Sequence, residues 1–388
     1  MKRLISSAAF AIKFIAFSFS LCIVTAFAKP VDIVIVDVAG NLAYTKQIWE
    51  NYKTKNPDKI GKILYERSTA TALPSKLMAQ KKANKNEIHF VLTGYDALAA
   101  GIKNDLWLKL TPDLQTKLPT FSKVLVPAAL EAQNLTSGYG VVNVYTPSGP
   151  FLTYDPKQVK VPPKNLEELK TWIKANPKKF FYARPATSGP GRTFLMALPY
   201  MLKDSNPKNP QTGWTKTWDY LKDIHKNIEY YTPGTTAQMK EFGQGDRAMT
   251  ITTAGWDLQM RLLGTIPQDY KVAALQEGVL VSDAHFMVIP STVDAERKAI
   301  LLDMISFSLQ PDQQVLTIET GGMYPGPAVK GVNIATAPKN ILDPINKFKR
   351  KDIDSAFKNS KVQSPLSATE MLSAFEKWDR EVAGQVVK

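Results

Sequence analysis

The sequence predicts an α/β protein built from two lobes, and three observations carry that reading. Strand-like and helix-like runs alternate three times in succession near the start of the chain, as in a mostly parallel sheet covered by helices. A strand of another kind follows at 138–144 and is continued at 151–154, which reads as a crossover between lobes. Taking an apparent leader of 28 residues from the 388 leaves 360, a length that suits about two domains.

The leader has the pattern of a secretory signal peptide. Lys2 and Arg3 form a positive start, an apolar stretch interrupted once by Lys13 runs to Val24, and Thr25-Ala26-Phe27-Ala28 ends in a small-x-small site. Cleavage is expected after Ala28. A membrane anchor fits less well, because the unbroken apolar run from Phe14 is short for a span and a cleavage site follows it. Lipidation is discounted, since Leu21 rather than a small residue precedes Cys22. Cys22 is the only cysteine, so the mature chain is expected to have no disulfide, thiolate ligand or cysteine nucleophile.

The formal charge is +14, and Lys2, Arg3 and Lys13 leave with the leader, so the mature chain keeps about +11. The lysines are scattered among acids. The densest run, Lys347-Phe348-Lys349-Arg350-Lys351, reads as a solvated helix face, with an anionic membrane or partner as the weaker alternative. No recognition motif points to nucleic acid.

A strand is expected over 31–38, broken by Gly40-Asn41, then a helix over 43–55 with Ile48, Trp49 and Tyr52 among its apolar positions. The second unit is a strand over 62–67 and a helix over 72–82; the third is a strand over 88–92 and a helix over 96–104. Loops with Gly40-Asn41, Ser68-Thr69 and Thr93-Gly94-Tyr95 follow the three strands. Ligands of open α/β sheets bind at the carboxyl ends of strands, so these loops should share one rim. Later, Asn165 is a plausible cap for a helix over 166–176, and 179–183 is strand-like. Thr187-Ser188-Gly189-Pro190-Gly191-Arg192-Thr193 comes next, ahead of a helix-like run over 194–202. Hydroxyls, glycines and an arginine at a helix start suit an oxygen-bearing ligand; a capped turn with nothing bound is the other reading. A helix over 216–227, Tyr230-Tyr231, a short helix over 237–242 and a turn into a strand over 249–253 follow. Strand-like runs at 279–281 and 286–289 flank Asp283. No repeat of solenoid period is visible.

The order of these motifs resembles the extracytoplasmic solute-binding proteins of bacterial ABC importers, in the branch with polyamine, ferric-iron and thiamine binders. Tyr139-Gly140-Val141 with Leu152-Thr153-Tyr154-Asp155 is similar to the family's crossover. Pro162-Pro163-Lys164-Asn165-Leu166-Glu167-Glu168-Leu169 resembles its helix start, and Gly245-Asp246-Arg247-Ala248-Met249 its turn. Phe307-Ser308-Leu309-Gln310-Pro311-Asp312-Gln313-Gln314 and Gly321-Gly322-Met323-Tyr324-Pro325 are similar to its closing motifs. The resemblance implies a periplasmic-binding-protein-like fold of type II: two lobes, each a mostly parallel sheet flanked by helices, with crossing hinge strands. It places one lobe at 29–142 plus 283–321 and the other at 143–282 plus 322–388. It also implies a periplasmic monomer that closes on a small polar solute and delivers it to a membrane permease, with no cofactor.

The solute candidates are then Asn41, Ser68, Thr69, Gly94 and Tyr95 on one lobe and Thr187, Ser188, Gly189, Arg192 and Thr193 on the other. Trp256-Asp257 pairs an aromatic face with a carboxylate and suits a cation, or else packs and caps. Asp283 stands where polyamine binders carry W-x-D, but Val281 replaces the tryptophan, which puts a polyamine in doubt. Arg192 pulls toward a carboxylate or phosphate, so a zwitterion or mixed-charge heterocycle fits both signs, with Tyr95 and Tyr324 as stacking walls. Tyr230-Tyr231 is similar to the tyrosine pair of iron binders, and also reads as a strand end with one buried tyrosine. His285 reads as a crossover packing residue, and His89, His225 and His285 are too dispersed for a metal site. An exported enzyme finds little support: there is no Gly-x-Ser-x-Gly elbow, no His-Glu-x-x-His helix, and Pro327 stands where a phosphate loop needs lysine. A protein that presents its ligand to a sensory receptor remains the alternative that shares the same cleft.

Overall fold

A computed structural model describes residues 29–384. The leader, its cleavage point at Ala28 and Cys22 lie outside the described residues. The three strand–helix units come first: β1 (Val31–Asp37) and α1 (Leu42–Lys55), β2 (Ile60–Arg67) and α2 (Ala72–Lys82), β3 (Phe90–Thr93) and α3 (Tyr95–Lys103). α1 buries Tyr44, Thr45, Ile48, Trp49 and Tyr52, the spacing of one helix face. All four residues of β3 are buried, as befits a strand covered on both faces. β1 pairs in parallel with both β2 and β3, with Asp37 opposite Arg67 and Leu92. The loops after the three strands therefore leave one rim, as expected.

α3 shows how closely this lobe is packed. A Cβ on Gly101 would fall 2.0 Å from Trp107 Nε1, and the Trp107 indole is held there by its bond to the Leu98 carbonyl at 3.0 Å. Gly101→Ala is therefore expected to lose about 1–3 kcal/mol of stability by overpacking, read as a lower urea midpoint at unchanged m. An unchanged midpoint would show that Trp107 moves aside freely.

The chain leaves the first sheet along β4 (Val141–Gly149) and enters a second sheet at β5 (Phe151–Tyr154). β6 (Phe180–Phe181), β7 (Met249–Thr252) and β8 (Lys271–Ala273) complete that sheet, in the order β6-β7-β5-β8. β9 (Val279–Val288) returns to the first sheet, joined by β10 (Gly326–Pro327) and β11 (Lys361–Gln363). The first sheet runs β10-β4-β9-β3-β1-β2, with β11 also on β9. β3 pairs with the last residues of β9 and β11 with its first, so this ten-residue strand serves two neighbours along one edge. Parallel pairing holds for β1 with β2 and β3, for β6 with β7 and for β9 with β11. Of the strands that carry the chain between lobes, β9 runs antiparallel to β3 and β4, and β5 antiparallel to β7 and β8.

Three local differences from the sequence reading matter. The runs 279–281 and 286–289 are expected as separate strands, but β9 is continuous through Asp283, whose charge finds a buried partner. The helix expected over 194–202 starts at Gly189 and runs to Met201. Ser188 caps it, its Oγ accepting from Gly191 N–H at 3.1 Å, and Pro190 sits in the first turn where its missing N–H costs nothing. At Tyr230-Tyr231 there is no strand; only Thr232 bridges Ala183. Asn165 caps the helix Leu166–Ala175 as expected, accepting from Glu168 N–H at 2.9 Å.

The C-terminal part visits both lobes. The helix Ala368–Trp378 packs along α3, while Trp378 Nε1 donates to Tyr182 Oη beside β6 at 3.1 Å. Between the lobes, the segment 315–323 packs on α1 and on the helix Ala254–Leu262. There Gly255 and Gly322 meet backbone to backbone: a Cβ on Gly255 would lie 1.9 Å from the Gly322 oxygen.

Candidate functional site

The polar residues at the junction of the two sheets come from four elements. β9 presents Asp283 and His285 on one face, two residues apart. The helix Gly189–Met201 lies against β9 and offers Arg192 from its first turn. α3 begins beside them with Tyr95 and Asp96 after Gly94, and α1 contributes Tyr44.

Arg192 is the centre of this group. Its side chain is 5% exposed, and Nη2 donates to both oxygens of Asp283, at 2.8 and 3.0 Å. Nη1 lies 3.8 Å from Asp96 Oδ2. Burial opposes the guanidinium charge, but Asp283 and Asp96 outweigh it and raise its pKa. Two glycines allow this approach. A Cβ on Gly189 would come within 3.2 Å of Asp283 Oδ2 and 3.8 Å of Trp256 Nε1, and one on Gly94 within 3.9 Å of Arg192 Nη2. Trp256 therefore borders the same junction.

Tyr95 stacks edge-on against Phe286 with ring centroids 4.7 Å apart, and its buried hydroxyl has no hydrogen-bond partner. Burial, with Asp283 nearby, pushes that phenol well above its usual range. His285 Nδ1 is bonded to the Tyr44 hydroxyl. Burial, reinforced by Arg192, pushes the His285 pKa down to about 3. The imidazole is thus neutral at physiological pH, and its Nδ1 shares a hydrogen bond with the Tyr44 hydroxyl.

The other sequence candidates are engaged locally. Asp37, unnamed in the sequence reading, accepts from Ala39, Asn41 and Leu42 N–H at 3.2, 2.8 and 3.1 Å and so closes the start of α1. Burial raises its pKa, and those backbone donors oppose the rise. Asn41 is buried, its Oδ1 taking Thr45 Oγ1 at 2.5 Å and Asn143 Nδ2 at 3.2 Å. Asn143 sits at the bulge where β4 shifts register against β9. Asn41 Nδ2 and Asn143 Oδ1 are left without partners.

Ser68 N–H bonds to the Asp37 carbonyl at 3.0 Å, and Thr69 Oγ1 takes Ala72 N–H at 3.1 Å on an exposed turn. Thr187 donates to Pro233 O at 2.6 Å, Ser188 pairs with Thr235 at 2.9 Å, and Thr193 donates to Pro190 O at 3.0 Å. The hydroxyls of the 187–193 segment therefore cap and brace the second lobe, and Arg192 alone of that segment's side chains reaches Asp283. Tyr324 Oη donates to Asp354 at 2.7 Å and its ring stacks on Phe357.

Asp257 is fully buried and bonded through both oxygens to Arg261, at 2.7 and 2.9 Å. The D-x-x-x-R spacing on one helix face was the sequence signal for that pair. Tyr230 is bonded to Glu241, and Tyr231 to His225 Nδ1 at 3.0 Å. Among the described residues no group of three or more His, Cys, Asp or Glu side chains is placed to hold a metal ion. The structure thus brings together Gly94, Tyr95, Gly189, Arg192, Trp256 and Asp283. It adds Asp96, Tyr44 and His285, of which Asp96 reads in sequence as an ordinary first-turn acid.

The family described as bacterial extracellular solute-binding protein matches residues 47–340. No curated protein matches the chain in sequence. An ABC transporter protein from Clostridium perfringens is similar in fold, with a TM-score of 0.64 and 13% identity, covering 90% of this chain and 98% of that one. The periplasmic binding protein AfuA from Actinobacillus pleuropneumoniae, with exogenous fructose-6-phosphate bound, is similar at a TM-score of 0.62 and 16% identity, covering 90% and 98%. The spermidine/putrescine ABC transporter substrate-binding protein PotD from Streptococcus pneumoniae is similar at 0.59 and 14%, covering 89% and 99%. At these identities the likeness is one of fold.

Proposed function

This chain belongs to the bacterial extracellular solute-binding proteins, and from that premise we propose that it captures a small polar solute between its two lobes and presents it to the permease of an ABC importer. The protein binds its solute and does not transform it. Residues 1–28 act as an export leader cut after Ala28, which releases the mature chain into the periplasm. The solute site comprises Gly94, Tyr95, Gly189, Arg192, Trp256 and Asp283, together with Asp96.

The observation that carries the reading is the unpartnered Tyr95 hydroxyl, buried beside Arg192 and Asp283 where elements of both lobes meet. A buried polar atom without a partner is costly, and a solute oxygen or nitrogen would relieve it. The indole Nε1 of Trp256 borders the same space and offers it an N–H donor.

The test is thermal denaturation of the mature protein against polyamines, thiamine and its phosphates, amino acids, sugars, sugar phosphates and ferric complexes. A solute at a hundred times its Kd is expected to raise Tm by about 5 °C. Trp256→Ala and Tyr95→Phe should shrink that shift. A shift untouched by both changes would place the solute elsewhere, and turnover of the solute would overturn the binding-only reading.

A further inference from the structure

We propose that Arg192 is a built-in cation that fills the acidic seat formed by Asp96 and Asp283, and so makes the cleft select against positively charged solutes. The inference rests on the reading of this junction as the solute site. Asp96 at the start of α3 and Asp283 in β9 lie on the same guanidinium, with nitrogen–oxygen distances of 2.8 and 3.0 Å to Asp283 and 3.8 Å to Asp96. Aromatic side chains border them: Tyr95, packed on Phe286, and Trp256, whose Nε1 lies near Gly189. Two carboxylates within reach of one cation are the chemistry that receives an organic ammonium or guanidinium group.

Here that group is supplied by the chain itself. Arg192 is anchored in the first turn of a buried helix, so its side chain enters the seat without the loss of freedom a separate solute would incur. Its charge is permanent across physiological pH. A free cation must either displace the guanidinium, leaving it buried and unpaired, or approach it as a like charge. Groups that accept hydrogen bonds meet no such opposition, since Nη2 alone of the guanidinium nitrogens is bonded to Asp283.

The test compares the mature wild type with Arg192→Ala, using methylguanidinium and 1,4-diaminobutane as probes in isothermal titration. Hydrogen bonds to charged groups translate into about ten- to a hundredfold in affinity, and a gain of that size is expected in Arg192→Ala for at least one probe. The gain should vanish in Arg192→Ala/Asp283→Asn. If circular dichroism shows Arg192→Ala unfolded, Arg192→Gln is read by the same criteria. Equal binding of both probes by wild type and folded variant overturns the proposal, as does a gain that survives loss of Asp283. These readouts do not depend on finding the natural solute. A failed solute screen on the wild type would count against the cleft reading, and a failed gain in the variant against the role of Arg192.

Discussion

Replacing Arg261 by methionine is expected to lower the unfolding free energy by about 3–5 kcal/mol, the range for breaking a fully buried ion pair from one side. Asp257 and Arg261 face each other one turn apart in the helix Ala254–Leu262, and both side chains are 0% exposed. Arg261 also donates through Nη1 to the carbonyl of Tyr270 at 2.8 Å and to those of Pro267 and Gln268 at 3.3 Å. Asp257 receives Thr153 Oγ1 from β5 at 3.2 Å. The pair therefore ties a helix, the loop before β8 and a central strand into one network. Methionine keeps much of the volume but leaves a buried carboxylate with one neutral donor. Urea unfolding of the variant and of Asp257→Asn/Arg261→Met would check this, since the double change removes both charges and should recover part of the loss. A single variant within about 1 kcal/mol of wild type would show that water reaches the carboxylate.

The second large effect concerns acid. His285 is held neutral down to about pH 3 in the folded protein, against an ordinary value of 6.5. Below pH 6.5 the unfolded chain takes a proton that the folded chain refuses, so stability falls as pH falls through that window. Above 6.5 both states are neutral and this histidine contributes no slope. The expected loss is about 1.4 kcal/mol per pH unit over most of the interval. His89 acts in the same direction: burial, aided by Arg297, lowers its pKa, while its ring accepts from Val34 N–H and is bonded to the Asn86 carbonyl. The charged and titratable groups around His285 are Arg192, Asp96, Asp283 and Tyr44, and the Tyr44 phenol is pushed well above its usual range by burial with Asp37 and Asp283 nearby. Unfolding free energies of wild type and His285→Asn from pH 7 to 4 would check this. Asparagine offers the Tyr44 hydroxyl a donor and an acceptor without titrating, so the variant's curve should be flatter. Parallel curves would assign the acid loss to other groups.

Much of the architecture was legible because it is local. The β-branched apolar run of β1 and the helical spacing of Ile48, Trp49 and Tyr52 specify their elements without reference to the rest of the chain. Gly189-Pro190-Gly191 misled because glycine and proline weaken a helix interior, whereas here they occupy its first turn under a Ser188 cap. The junction was legible only in pieces. Arg192 stood out among hydroxyls and glycines at a helix start and Asp283 between two apolar runs, but their pairing spans 91 positions and depends on the packing of one helix on one strand. Tyr44 meets His285 across 241 positions, and no local pattern announces it. Asp257 is the opposite case, a residue whose partner lay four positions on in plain sight.

The meeting of Gly255 with Gly322 has a mechanical consequence. Side chains that interdigitate act as teeth, and any sliding past them must climb over rotamer barriers. Here one peptide backbone rests on another, between a helix of the second lobe and a segment seated on α1. On either side of that bare spot the same two elements are toothed: Leu258 seats among Val315 and Ile318, and Gln259 Nε2 donates to Thr320 Oγ1 at 3.1 Å. The glycines thus set how near the two backbones come, and the flanking side chains set their register.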